Sequence, residues 1–221
     1  MSDATATQDR GAYRAAVRTL LRDTLLDGAR ELLRERPWSQ ITMADVASAA
    51  GVSRQTLYNE FGTRERFAQE FVIREGARFL GLVETAIENH LDDPRAAITD
   101  AFEVFLTTAA EDPLVKLLLS DDGTGEMLPL LTTQSRPLMG WACERLCVAM
   151  RRSWGELRED DARLLADTFV RLAISHVTAP YGDPRETAAA VARLLGPYVE
   201  RAFALQASSR TSALALTTSC A

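Results

Sequence analysis

The chain is poor in the residues from which reaction centres and metal sites are built. Its 221 residues include two histidines and three cysteines, and all its basic residues but Lys116 are arginine, a bias that points to a GC-rich genome rather than to a function. Cys143 and Cys147 lie one helical turn apart with no histidine nearby to complete a zinc set. Free cysteines on an apolar helix are ordinarily core, so no metal site is expected, and a cysteine-based metal or redox sensor is the remote alternative. Cys220 falls in the last residues of the chain. No nucleophile elbow, P-loop or dinucleotide fingerprint is present, which leaves an enzyme reading without support and calls for no cofactor. No apolar run approaches the roughly 20 residues that cross a bilayer, and the polar N-terminus lacks the apolar core of a signal peptide. The expectation is a cytoplasmic protein with no membrane partner. Strand-like alternation is missing too; Ala, Leu, Arg and Glu dominate, and an all-α fold follows.

What is present concentrates in residues 42 to 67, TMADVASAAGVSRQTLYNEFGTRERF. Thr42 followed by Asp45 is a capping-box pattern, which starts a helix at about Met43. Val46, Ala47 and Ala50 share one face of it, and the small residues Ala47, Ser48, Ala49 and Ala50 let a second helix approach closely. Gly51 supplies the positive φ that ends a helix. Ser53 caps the next one, with Leu57 and Phe61 facing inward and Val52 packed at the turn as a staple. Its outward face holds Arg54, Gln55, Thr56, Tyr58 and Asn59. Arginine pairs bidentately with guanine, Gln or Asn with adenine, and Tyr or Thr hydroxyls with phosphate oxygens, so this face suits the major groove of DNA.

The run resembles the DNA-binding signature of the TetR family of one-component bacterial regulators. Thr42, Asp45, Val46, Ala47, Ala50, Gly51, Val52, Ser53, Thr56, Leu57, Tyr58, Phe61 and Glu65 fall on that pattern without a gap. Three positions depart from it. Gln55 replaces a small residue, Glu60 replaces Tyr or His and would repel a phosphate, and Arg64 replaces Lys while keeping a phosphate-pairing charge. The candidate DNA-contacting set is Thr42, Ser53, Arg54, Gln55, Thr56, Tyr58, Asn59 and Arg64. The resemblance implies an N-terminal three-helix helix-turn-helix domain followed by a C-terminal helical ligand-binding and dimerisation domain, about nine helices in all. It also implies a repressor that leaves its operator when a ligand binds, held at the nucleoid through DNA; an activator or a ligand-aided repressor would use the same parts.

Charge divides accordingly. Against −6 overall, residues 10 to 68 carry ten arginines and seven acids, a net +3 that leaves −9 on the rest. Acidic surface belongs away from DNA. Arg10, Arg14, Arg18 and Arg22 recur every four residues along a predicted helix over 10–36, either following the DNA backbone or forming a solvated face that Asp23, Asp27, Glu31 and Glu35 continue. Leu21, Leu25, Ala29, Leu32 and Leu33 supply its buried side, and Pro37 ends it. The expected organisation is a disordered arm over 1–9, the DNA-binding domain over 10–68, a ligand-binding and dimerisation domain over 69–206, and a flexible tail over 207–221. Helices are expected over 63–90, 94–111, 113–120, 125–153 with a break near Pro137, 161–179 and 184–206, with Asp-Pro pairs at 93, 112 and 183 as starts.

The last two of these are apolar on more than one face, which calls for a partner beyond the chain itself. In the resembled family the last two helices build a dimer interface, and the candidates here are Val170, Ile174, Val177, Leu194, Leu195, Tyr198, Val199 and Ala202. A homodimer would present two recognition helices to a near-palindromic double-stranded operator. The segment before them is rich in apolar residues and short of buriable polar ones, so a pocket there is apolar. Its candidate lining is Phe102, Phe105, Leu106, Leu117, Leu118, Leu128, Leu131, Trp141, Phe169 and His176. The expected effector is a hydrophobic small molecule such as a long acyl chain or hydrocarbon. His176 is read first as a satisfied interface group and second as a ligand contact, and His90 as a helix-end residue that favours the dipole.

Overall fold

The computed structural model describes residues 2–112, 115, 128–155 and 157–218, with side chains described between 11 and 203 apart from Leu128. Among these residues there are nine α-helices and no strand. Helix α1 spans Ser2–Glu35, a 3-10 turn covers Trp38–Gln40, and α2 (Met43–Ala49) and α3 (Arg54–Phe61) follow. α4 is Arg64–Glu88, α5 Pro94–Glu111, α6 Leu128–Leu131, α7 Arg136–Ser153, α8 Glu159–Thr178 and α9 Pro184–Thr218. The expected helix over 113–120 lies outside the described residues, and the expected break near Pro137 is a turn over 132–134 between α6 and α7. α1 begins at Ser2 and α9 continues to Thr218. Alanine, the residue that costs a helix least, recurs in both segments.

Two hydrophobic cores organise the molecule. The first gathers Leu25, Ala29 and Leu33 of α1, Trp38, Val46 and Ala47, Leu57 and Phe61 of α3, and Phe67, Phe71 and Val72 of α4. Its aromatics interlock: Trp38 stacks on Phe67 at 6.2 Å between ring centres, and Phe61 meets Phe67 edge-on at 4.8 Å. The second core belongs to α4, α5, α7, α8 and α9, with Val83, Ile87, Ile98, Phe102, Leu146, Phe169 and Val199 at its centre. α5 packs between α4 and α9, while α7 packs on α4 and α8.

α4 enters both cores. Its 25 residues reach roughly 37 Å at 1.5 Å per residue, contributing Phe67, Ala68, Phe71 and Val72 to one core and Leu80, Val83, Ala86 and Ile87 to the other. Several helix starts carry a side-chain lock. Ser53, Thr63 and Asp93 side chains accept from the backbone N–H groups of Thr56, Arg66 and Ala96, and Pro94 occupies the first turn of α5, where its missing N–H is harmless.

Candidate nucleic-acid interface and effector cavity

The turn between α2 and α3 is built from short-range bonds. Thr42 and Asp45 cap α2 reciprocally: the Asp45 N–H donates to the Thr42 hydroxyl at 3.2 Å, and the Thr42 N–H donates to the Asp45 carboxylate at 2.8 Å. That backbone bond, then the Thr42 hydroxyl, holds the Asp45 carboxyl below the ordinary carboxylate range. Gly51 sits at φ 67°, a left-handed geometry that a side chain disfavours, and the Val52 N–H returns to the Ala47 carbonyl at 2.9 Å. α2 lies close on α1 because residue 28 is glycine. A Cβ there would stand 3.3 Å from the Ala49 Cβ.

These constraints orient α3. Leu57 and Phe61 are buried, whereas Ser53, Arg54, Gln55, Tyr58 and Asn59 are exposed, with Thr56 half-buried beside them. Thr42 is exposed at the start of α2. The Gln55 amide donates to Asn59 Oδ1 at 2.9 Å, one turn along, so two side chains of the types that pair with adenine order one another on the exposed face. Seven of the eight candidate contacts thus lie on α3 or at the caps of α2 and α3. Arg64 points elsewhere. Its guanidinium donates to the carbonyls of Trp38, at 2.9 Å, and Ile41, and lies 4.4 Å over the Trp38 ring. It closes the 3-10 turn onto α4.

Glu60 is absorbed within the protein. Arg18 Nε donates to its carboxylate at 2.7 Å, and Arg22 donates to its main-chain carbonyl at 3.0 Å. Arg22 also pairs with Glu70 and lies 4.3 Å over the Phe61 ring. Two members of the arginine stripe therefore hold the C-terminal end of α3 onto α1.

The second site is a cavity of about 110 Å³ against the inner face of α4. Of the candidate pocket residues, Phe105, Leu131, Trp141 and Phe169 line it, joined by Val72, Gly76, Phe79 and Leu138. Val170, Ile174 and Val177 line it too, although their sequence suggested an intersubunit face. Val199 and Ala202 are buried in the second core, and the Tyr198 hydroxyl donates to Asp161 of α8. The reason is that α5 and α7 cover one face of α8 and α9. Leu194, 71 % exposed, stays on the outside, with Leu195 half-buried. Phe102 belongs to the core, edge-on to Phe169 at 4.6 Å. Leu117, Leu118 and the Leu128 side chain lie outside the described residues. Val72, Gly76, Phe79 and Leu80 recur at helical spacing on α4, the pattern from which this wall could have been read.

Two polar side chains reach the cavity wall, and each is satisfied elsewhere. The Thr178 hydroxyl donates to the Ile174 carbonyl at 2.9 Å. Glu75, buried, pairs with Arg30 of α1 and accepts from Arg78 at 3.1 Å, while Arg30 stands 3.8 Å from Asp112 at the end of α5. Burial pushes the Glu75 carboxyl up and Arg30 pulls it back. Leu106 and His176 line an adjacent chamber of about 220 Å³ that shares Ala109, Val115 and Val177 with the first. Burial pushes the Cys143 thiol up to about 11, helped by Asp167, so it is protonated at neutral pH and a poor nucleophile. Among the described residues no three His, Cys, Asp or Glu side chains converge as metal ligands, and no helix is long and apolar enough to cross a membrane.

Residues 25–71 match the family of bacterial regulatory proteins named for tetR, and residues 93–197 match the C-terminal domain of bacterial tetracycline repressors. The HTH-type transcriptional regulator AlkX of Mycobacterium tuberculosis is 40 % identical over 189 residues, 86 % of this chain and 90 % of that protein. The crystal structure of the TetR family repressor AlkX from Dietzia sp. strain DQ12-45-1b, implicated in biodegradation of n-alkanes, superposes with a TM-score of 0.73 at 36 % identity, covering 81 % of this chain and 95 % of that one. RolR in complex with resorcinol shares the fold at a TM-score of 0.55 and 22 % identity, over 87 % of this chain and 95 % of that one.

Proposed function

The chain belongs to the TetR family of bacterial regulatory proteins and is a transcriptional regulator, not an enzyme, and we propose that it is a repressor released from its operator by a molecule with a hydrocarbon chain. The observation that carries the effector class is the cavity beside α4, among whose described wall residues no polar side chain is left in need of a partner. A ligand there gains from burying apolar surface, about 25 cal/mol per Å², and receives no hydrogen bond in exchange for lost hydration. A plain chain fits and a polyol does not. The n-alkane biodegradation in which the Dietzia relative is implicated supports the same class.

Coupling follows from α4. At about 110 Å³ the cavity takes part of a long chain, so fuller occupancy favours an arrangement in which α4, α5, α7 and α8 stand farther apart. The N-terminal half of α4 is core to the DNA reader, and Arg30 and Arg74 tie α1 to it through Glu75, Asp27 and the Asp23 carbonyl. Displacing α4 moves the reader as a body. A ligand that prefers the displaced state by 1 to 3 kcal/mol, the usual range, would weaken operator binding by roughly 5- to 150-fold.

The operator is read by a homodimer, in which exposed Leu164 of α8 and Leu194 of α9, 53 % and 71 % accessible, meet their counterparts. Two copies of α3 then address half-sites of a near-palindrome about 34 Å apart. Fluorescence anisotropy on the promoter beside its own gene tests the reading. Sequence-specific binding that falls steeply with salt, and is reversed by n-alkanes or acyl chains, is expected; release by small polar metabolites alone would overturn it.

A further inference from the structure

The second chamber holds the one element of the effector region that the first cavity does not explain. Its wall is made by Leu106, Ala109, Val177, Tyr181 and Thr187, with the imidazole of His176 among them. His176 meets Phe102 edge-on at 6.3 Å and makes no hydrogen bond within the described residues. The chamber touches the hydrocarbon cavity along Ala109, Val115 and Val177, and its outer side is the α8–α9 connection, where Tyr181 is 89 % exposed and Gly182 adopts φ 77°.

We propose that this chamber seats the polar end of the effector, and that the effector is a straight-chain primary alcohol whose hydroxyl bonds to His176 while its tail enters the cavity beside α4. The inference rests on the reading of that cavity as a hydrocarbon site. A hydroxyl both donates and accepts, so it can bond to an imidazole nitrogen whether that nitrogen carries a hydrogen or not. A carboxylate only accepts, and the described wall of the chamber offers no Lys or Arg to offset its charge on leaving water. An unsubstituted alkane would offer the imidazole no hydrogen bond. Tyr181 and the Pro180–Gly182 turn lie at the solvent side, where a head group would enter last.

The test compares octane, octan-1-ol and octanoate on the full chain, with two readouts: the fluorescence of the protein, to which Trp141 contributes from the cavity wall, and release of operator DNA. His176→Phe keeps a ring against Phe102 and removes both nitrogens; His176→Gln restores a donor and an acceptor. The expected result is that His176→Phe raises the concentration of octan-1-ol needed for half-saturation about three- to tenfold, the worth of one neutral hydrogen bond. Octane is unchanged, His176→Gln recovers part of the loss, and octanoate is the weakest of the three. Equal shifts for octane and octan-1-ol, no shift for either, or octanoate binding more tightly than octan-1-ol would overturn the assignment of the hydroxyl while leaving the hydrocarbon cavity standing. His176-dependent binding of octan-1-ol without DNA release would uphold the site and overturn the regulatory reading. No binding by any of the three would overturn both.

Discussion

The DNA-reading core and the effector core are built from the same residue types but filled differently. In the first, Trp38, Phe61, Phe67 and Phe71 are each at most 2 % exposed and interlock, and none of them lines the cavity beside α4 or the chamber next to it. In the second, two adjoining chambers of about 110 and 220 Å³ remain between helices that are otherwise well packed. A sealed core has one arrangement, because any shift loses contacts at native packing density. A core with voids has neighbouring arrangements of similar energy, among which a ligand can choose. The reader must be rigid to keep its side chains in register with base edges, and the sensor must yield. α4 contributes residues to both cores, which is why the proposed coupling runs through it.

The comparison breaks most visibly at Phe67. Phe67→Ala should cost about 3–5 kcal/mol and abolish operator binding, because the aromatic cluster has no slack to collapse into. Urea unfolding followed by near-UV circular dichroism measures it; a loss below 1 kcal/mol would mean that the reader is as loosely filled as the sensor. Next comes Arg64→Ala, expected to destabilise by about 1.5–3 kcal/mol through the loss of two charged hydrogen bonds and the contact over Trp38. If thermal stability is unchanged and DNA affinity alone falls, the side chain serves phosphate instead.

Adding volume sharpens the same contrast. Ala47→Leu, on the face of α2 buried against α1, should cost about 1–3 kcal/mol, whereas Ala173→Leu, at the cavity wall, should be neutral or stabilising. Ala173→Leu should also blunt effector-dependent release while leaving operator affinity as it was, as an anisotropy titration of both variants would show. The smallest effect is electrostatic. The Asp45 carboxyl is held below its ordinary value of about 3.9 in the folded state, so its stabilising contribution is complete above that value and disappears as pH falls through the folded one. Asp45→Asn should lower stability slightly at neutral pH, and its difference from the unsubstituted chain should close as pH falls below about 4, which flattens the acid limb; a difference that persists undiminished in acid would contradict the cap.

Much of the reader was legible because its devices are local. The Thr42–Asp45 box, the Ser53 cap, the Gly51 turn and the inward Leu57 and Phe61 all act within four residues along the chain, and spacing alone exposes them. Arg64 was misleading for the opposite reason: its partners, Trp38 and Ile41, lie 26 and 23 residues away. Glu60 looked like a defect until Arg18, 42 residues earlier, was brought beside it. On α8 the apolar faces were visible, but the sequence of a helix apolar on two sides does not say which side its own chain covers. Val170, Ile174 and Val177 turned out to face the interior and Leu194 the exterior.

The sequence by itself determined the all-helical class, the helix starts, and the set of side chains that α3 offers outward, since capping, helical periodicity and turn chemistry are properties of neighbours in the chain. Tertiary structure alone decided that Arg64 and Glu60 serve the protein's own packing, that an apolar cavity lies against α4, and that His176 lines a second chamber adjoining it. Voids and long-range ion pairs depend on how helices distant in sequence fill the space between them, and no local pattern records that filling.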